Sequence, residues 1–411
     1  MILDKPIRSL FIMPRDSKSW AGSEALWITA AGFASAAEHI FGNSVVSTRD
    51  LIAKPEEVRN FPLNKPQNFK SPTKSKYPFI PLVLKTLLKD VLLYKSNPKI
   101  WPFENKLSDE LKFVWEQHDM FSGIGYLVAK KYKVPYMVYV HGPAVWEAKK
   151  WGVKRPVWGT YLEKRESDNL KKADIVGCVS EEVANQLQKM GVKKSKIKVI
   201  PMLVDTTLFT PKSKNANIIN QYNLKNKFVI GWTGSFRSFH GLDKVIKAFK
   251  SISNEKEDAV LMLVGDGQLK ASIQNLVEEL NLEKKVIFTG NQKFTDIPDF
   301  LSVFHIALVS ANSSKGFHYS PLKLREYLAC QKATIVPKAG DLLQQFDDEK
   351  EVLFYDVEAE DGLVKSMKKL IEDNALRNKL ENNGYQKVIK SGTWYSELLN
   401  VIQELNCTPQ N

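Results

Sequence analysis

Gly316-Phe-His-Tyr-Ser-Pro-Leu-Lys-Leu-Arg-Glu-Tyr-Leu-Ala-Cys330 reads as a loop that turns into a helix. The run 305–309 before it is apolar and of strand length, and the spacing of Leu322, Leu324, Tyr327 and Leu328 after it suits an amphipathic helix. A loop in that position lies where an open α/β sheet binds ligands. Pro321 suits the first helical position, because its missing N–H would be unpaired there, and the N–H groups of Leu322 and Lys323 are left pointing out of the helix start. Free donors at the positive end of the helix dipole attract an anion, and Lys323 adds a full charge. Glu326 lies roughly 7 Å from Pro321 by helix rise, where a carboxylate can accept from both hydroxyls of a ribose. A capped helix with one exposed Lys and one exposed Glu explains the same residues, so other segments have to decide.

The stretch Ile230-Gly-Trp-Thr-Gly-Ser-Phe-Arg-Ser-Phe-His-Gly-Leu-Asp-Lys-Val-Ile-Lys-Ala-Phe249 has the same layout. A strand ends at Gly234-Ser235, where the missing Cβ allows close backbone approach and the hydroxyl can donate to phosphate. His240-Gly241 then opens a helix with apolar positions Leu242, Val245, Ile246 and Phe249. One glycine turn says little. Two such loops at strand ends of one sheet point to a shared anion.

The 411 residues exceed what one core organises, so two domains of about 200 residues are expected. The hydrophobic content of 43% and charged content of 26% are those of a globular protein. The net charge of +13 fits nucleic acid, an anionic membrane surface or phosphorylated substrates. Nucleic acid is not expected, because the basic residues are not interleaved with a recognition module. The three cysteines, Cys178, Cys330 and Cys407, are far apart and odd in number, which argues for a reducing cytoplasm and against a disulfide framework or Cys-rich metal site. No stretch reaches the roughly 18 to 20 apolar residues of a membrane span, and the chain starts without a charged-then-apolar leader, so export is not expected.

Strand, loop and helix alternate along the chain, which predicts parallel sheets with crossover helices. Strands are expected at 9–13, 44–47, 112–115, 136–140, 175–179 and 198–200, then at 228–233, 259–264, 286–289, 306–309, 334–336 and 352–354. Residues 205–227 are polar and aperiodic and read as the linker between the halves. Residues 53–106 stand apart: eight prolines punctuate a segment with eleven basic and four acidic residues, a net +7. Within it, 83–94 fits an amphipathic helix, with Trp101 nearby, of a composition that can lie in a membrane interface. An insertion packing its apolar side on its own domain explains the same pattern.

Together these segments resemble a retaining glycosyltransferase of family 4. The resemblance extends to Ala173-Asp-Ile-Val-Gly-Cys-Val-Ser180, the run 197–211, Leu261-Met-Leu-Val-Gly-Asp-Gly-Gln268, Val286-Ile-Phe-Thr-Gly290 and the pattern near Trp394. It implies the GT-B fold, two Rossmann-like parallel-sheet domains facing each other across a cleft. Residues 1–207 would bind the acceptor and 208–388 the nucleotide-sugar, and 389–411 would form a helix crossing back to the first domain. The family's paired glutamates are eight apart; Glu326 matches the second, implying a ribose contact, and His318 stands at the first. The family's diphosphate-holding Arg and Lys fall on Ser235 and His240, a variant of the form Gly-Ser-Phe-x-x-aromatic-His-Gly, so that Lys323 and Arg237 supply the charge.

The resemblance further implies that His141, at the end of Tyr139-Val-His-Gly-Pro143, faces the donor sugar, although a histidine after a strand is often structural. Gly22 and Ser23 look like the family's glycine loop beneath acceptor and donor phosphate. Gly265, Gly290, Ser320, Pro321 and Leu322 complete the donor set. Glu116 and Glu147 are candidates for acceptor recognition, with plain surface charge as the alternative. The implied reaction moves a sugar from a nucleoside diphosphate to a hydroxyl of a saccharide or lipid-linked saccharide, with retention. No metal and no cofactor are expected, and His141, His240 and Lys323 are the catalytic candidates. The implied setting is the cytoplasm, peripheral to the inner face of the plasma membrane, in cell-surface polysaccharide or lipopolysaccharide assembly, with 53–106 as a surface for anionic lipid. Two rivals stay open: a sugar-nucleotide epimerase of similar architecture, and a non-catalytic binder of nucleotide-sugars or anionic lipid.

Overall fold

The computed structural model describes residues 5–17, 24–59, 81–95, 100–121, 123–150, 152–315, 317, 320–390 and 393–405. The chain divides into two compact units, Met1–Pro201 with Trp394–Asn411, and Met202–Thr393. No helix among the described residues is long and apolar enough to cross a membrane.

Unit 1 is built on strands β1 (Ser9–Ile12), β2 (Ser44–Ser47), β3 (Ile52–Ala53), β4 (Phe113–Gln117), β5 (Tyr136–Val140), β6 (Ile175–Cys178) and β7 (Ile197–Val199), in the order β3-β2-β1-β4-β5-β6-β7. Every pair is parallel except the short β3 against β2. Parallel strands covered on both faces need apolar runs rather than alternation, and β1, β4, β5 and β6 are buried at every position. Helices α1 (Glu24–Phe41), α2 (Leu82–Lys95), α3 (Ala144–Lys150) and α4 (Trp158–Leu170) belong to this unit. The core is aromatic: the Trp115 ring lies 5.5 Å from Phe11, 5.7 Å from Phe33 and 6.0 Å from Tyr139. The terminal helix Trp394–Glu404 packs on α1, with the Trp394 indole edge-on to Phe33 at 4.8 Å. Gly32 makes that approach possible, since a Cβ there would stand 2.7 Å from the indole.

Unit 2 carries β8 (Phe228–Thr233), β9 (Ala259–Val264), β10 (Val286–Gly290), β11 (Ile306–Leu308), β12 (Ala333–Pro337) and β13 (Leu353–Tyr355), all parallel, in the order β10-β9-β8-β11-β12-β13. The order reverses between β8 and β11, the crevice that doubly wound sheets use for ligands. Helix α5 (Leu242–Glu255) follows β8, and α6 (Leu322–Ala329) lies between β11 and β12.

Two expectations need correction. The supposed linker 205–227 belongs to unit 2: Phe209, Ile218 and Leu224 are in its core, and 216–221 form a short helix capped by the Asn215 side chain. One buried apolar residue per turn is too sparse to show as periodicity. The second concerns Glu116. The sequence pattern ends the strand at 115 and leaves Glu116 as a candidate for acceptor recognition or plain surface charge, but β4 runs through Gln117 and Glu116 is fully buried. Its carboxylate accepts from the N–H of Gly123 at 2.8 Å, the N–H of Gly125 at 3.0 Å and the Tyr136 hydroxyl. Burial raises its pKa above the usual carboxylate range, and these donors work against that shift. Glu116 therefore holds the β4 turn and is closed to an acceptor. Glu116→Ala leaves two backbone donors and a phenol unpaired in the core, and should cost about 3 kcal/mol or more, read as a lowered melting temperature. An unchanged melting temperature contradicts the structural role.

Candidate functional site

In unit 2 the loops after β8 and β11 meet beside α6. Tyr327 fixes the helix to the strand: its hydroxyl accepts from the Thr233 N–H at 2.7 Å and lies 2.9 Å from Thr233 Oγ1. One turn earlier on α6, Lys323 is thereby set over β8, with its Nζ 3.7 Å from the centroid of the Trp232 ring. That ring is fully buried and held by its own N–H, which donates to Ser310 Oγ at 3.0 Å. Gly234 has φ +137°, and a Cβ there would stand 2.7 Å from Lys323 Nζ. The glycine is thus required twice, by the backbone and by the ammonium. Behind it, a Cβ on Gly265 would meet the Gly234 carbonyl at 1.9 Å, and the turns after β8 and β9 are tied by Gly234 N–H to Val264 O and Phe236 N–H to Asp266 O, both 2.9 Å. Gly265 N–H donates to Gly290 O at 3.0 Å, and Gly290 itself has φ +73°.

The helix start differs in detail from expectation. Pro321 has ψ 111°, an extended conformation, so it is the residue before the helix and not its first member. The reason is local: its carbonyl already accepts from Leu324 N–H at 3.1 Å while its own backbone is still that of the loop. The N–H groups of Leu322 and Lys323 have no hydrogen-bond partner among the described residues, as the first turn of a helix requires. Ser320 ties the loop down, its Oγ accepting from Met202 N–H at 3.1 Å and lying 3.4 Å from Arg325 Nη1.

The picture of an ordinary helix with an exposed Lys and Glu does not hold. Lys323 is 9% exposed and Glu326 6%. Lys323 Nζ is buried with no hydrogen-bond partner among the described residues. Burial pulls its pKa down to about 7, with Glu326 opposing, and pushes that of Glu326 up to about 8, with Lys323 opposing. The Trp232 face favours the protonated amine, since a cation over an indole in a dry setting gains about 2 kcal/mol. An anion placed before the α6 start would find this ammonium and two free N–H groups together.

His240 is held neutral. Burial lowers its pKa to about 2, the charges of Lys323 and Arg237 add to the effect, and a hydrogen bond with the Ser310 backbone opposes them. Its ring stands edge-on to Trp232 at 5.4 Å. Arg237 is exposed, and Ser235 is half-buried next to Gly234.

Of the residues expected in unit 1, His141 follows β5. Its Nδ1 lies 3.2 Å from Gln117 Nε2, so the amide donates there and the ring proton sits on Nε2, which is 3.5 Å from Thr29 Oγ1. Burial, with His118 adding to it, lowers its pKa to about 3, so it is a neutral N–H donor. Glu147 lies against Gly142, where a Cβ would be 3.2 Å from its carboxyl carbon. Gly22, Ser23 and His318 lie outside the described residues.

Sequence reasoning missed several residues that hold these positions. Glu166, fully buried, stands 2.6 Å from His118 Nε2 and accepts from the first N–H groups of α3, Ala144 and Val145. Arg15 clamps Asp119, Nε to Oδ2 at 2.6 Å, joining the loops after β1 and β4 where the unit 1 strand order reverses. Trp232 carries a sequence signal of its own, an aromatic two residues before the strand-end glycine.

The chain is similar to known proteins along most of its length. The profile described as "Glycosyl transferases group 1" matches residues 214–387, and that described as "Glycosyltransferase Family 4" matches 64–208. An uncharacterised glycosyltransferase of Methanocaldococcus jannaschii is 25% identical over 66% of this chain and 68% of its own length. The lipopolysaccharide core biosynthesis glycosyltransferase LpsD of Rhizobium meliloti is 28% identical over 50% of this chain and 56% of its own. The aligned part thus spans little more than half of LpsD. Among solved structures, Anabaena HepE in complex with UDP-glucose superposes with a TM-score of 0.67 at 14% identity, over 97% of this chain and 99% of HepE, a likeness of fold. Two units of parallel sheet, each wound about a reversal point, and two matching profiles agree: the chain belongs to the family 4 glycosyltransferases, enzymes of the hexosyltransferase type with the GT-B fold.

Proposed function

We propose that this protein is a retaining, metal-independent glycosyltransferase that moves a sugar from a nucleoside diphosphate to a hydroxyl of a lipid-linked glycan during cell-surface polysaccharide or lipopolysaccharide assembly, at the inner face of the plasma membrane. The observation that carries it is the buried amine of Lys323, poised over Gly234 beside the N–H groups that start α6, all without a hydrogen-bond partner among the described residues. Breaking the sugar–phosphate bond sends its electron pair to the diphosphate oxygen, and these donors stabilise the charge as it develops. The acceptor hydroxyl attacks the same face and gives its proton to the departing phosphate. Glu326 is assigned to the ribose, Ser235 and the turn at Gly234 to the diphosphate, and neutral His141, through its Nε2–H, to a sugar hydroxyl. Glu147 is retained for the acceptor. The relatives support the choice of donor and acceptor: HepE has been solved with UDP and UDP-glucose, and a Campylobacter jejuni relative, 26% identical over 51% of this chain and 54% of its own length, is named as acting on a diphospho-undecaprenol glycan.

Lys323→Ala should lower turnover at saturating donor about a hundredfold while leaving the melting temperature near that of the wild type, and wild-type turnover should survive a chelator. Unaltered turnover in the variant removes Lys323 from the mechanism, and loss of activity in chelator restores a metal. Isomerised sugar without acceptor would turn the reading to an epimerase.

The proton balance gives a second test. In the empty protein the Lys323 pKa lies near 7, so at pH 8 the amine is largely neutral; a bound diphosphate raises that pKa and draws a proton in. Affinity for UDP should therefore fall as pH rises above about 7. Calorimetry at pH 8 in buffers of different ionisation enthalpy should show greater proton uptake by the wild type than by Lys323→Met. Equal uptake in both would mean that the amine does not meet the diphosphate.

A further inference from the structure

Helix α2 is held to its unit from one side. Asp90, its buried residue, accepts from Arg155 Nε at 2.8 Å, Arg155 Nη2 at 3.0 Å and Trp158 Nε1 at 2.8 Å. Leu93 packs on the cluster of Met120, Phe121, Val145 and Leu162, and the Tyr94 ring meets Phe121 edge-on at 5.5 Å. These contacts turn the opposite side of the helix to solvent, where a surface helix normally carries polar residues. It carries Leu84, Leu88, Val91 and Leu92, one above another at helical spacing and 45%, 48%, 41% and 66% exposed. Lys95 falls within the stripe, Lys85 borders it and the exposed Lys89 stands at its margin, and none pairs with a carboxylate among the described residues. The helix has one acid, Asp90, and Arg155 takes it inward. An apolar stripe flanked only by cations suits the boundary between lipid headgroups and acyl chains. A second copy of the chain docking about a two-fold axis would set lysines against lysines.

We propose that this face of α2 docks the protein on an anionic lipid surface, with Leu84, Leu88, Val91 and Leu92 entering the headgroup layer and the three lysines meeting lipid phosphates. The inference rests on the lipid-linked acceptor proposed above and narrows the surface from the segment 53–106 to one helix face. Trp101 has no part in it: the indole is buried, and its N–H donates to Ser47 Oγ at 3.1 Å. The Asp90 clamp keeps the stripe facing outward.

Sedimentation of the full chain with phosphatidylcholine vesicles, with and without phosphatidylglycerol, tests this. The wild type should pellet with the anionic vesicles only. Leu88→Gln/Leu92→Gln should weaken that binding about tenfold or more, and Lys89→Gln/Lys95→Gln about tenfold. All four side chains are exposed, so melting temperatures should stay at the wild-type value. A wild type that remains in the supernatant, or either variant pelleting like the wild type, overturns the proposal. So does a dimer in sedimentation velocity that the leucine variant dissolves without any vesicle binding. The thermal shift with UDP, measured alongside, separates the two readings. Vesicle binding sensitive to both variants in a protein with no UDP shift would support docking and sink the transferase reading alone.

Discussion

An amine buried on an indole ring, with no hydrogen-bond acceptor among the described residues, is the constraint around which the unit 2 site is arranged. Lys323 can stand there only because Gly234 has no side chain, because Tyr327 pins α6 to the end of β8, and because Ser310 holds Trp232 flat beneath it. The glycine follows β8, the serine follows β11, and the tyrosine stands on the helix between β11 and β12. The glycine at 265 is a further consequence, since the turn that frees Gly234 presses its carbonyl where a Cβ would otherwise be. A desolvated amine with no acceptor among the described residues is costly to charge, and under the proposed chemistry the incoming diphosphate supplies the missing partner.

The sheets were legible because parallel strands are apolar throughout, so runs such as Ala259–Val264 and Tyr136–Val140 need no partner to be recognised. The two glycine-bearing loops were legible as well, and the strand order brings them to the reversal point between β8 and β11. Glu116 looks available to an acceptor, or as plain surface charge, because sequence records the charge of a side chain but not the donors folded around it: two are backbone groups, and the third is a tyrosine twenty residues away. Trp232 failed to register for the converse reason, since an aromatic inside a buried strand looks like core packing whichever cation lies on its face. Pro321 was misplaced by one position, because both the residue before a helix and its first member tolerate a missing N–H.

The histidines settle how charge is distributed. Desolvation first, then repulsion from Lys323 and the exposed Arg237, keeps His240 neutral. Where the family's pattern has two fixed cations, Ser235 and His240 leave this chain one buried amine poised near neutrality. Under the proposed chemistry, the positive charge of the empty site is then small and grows as the diphosphate enters and as negative charge builds on the leaving oxygen. Interactions that strengthen along the reaction lower the barrier, whereas equally strong binding of the intact donor would only tighten the ground state. A single titrating lysine on a polarisable ring is better suited to the first than a permanent pair of charges would be.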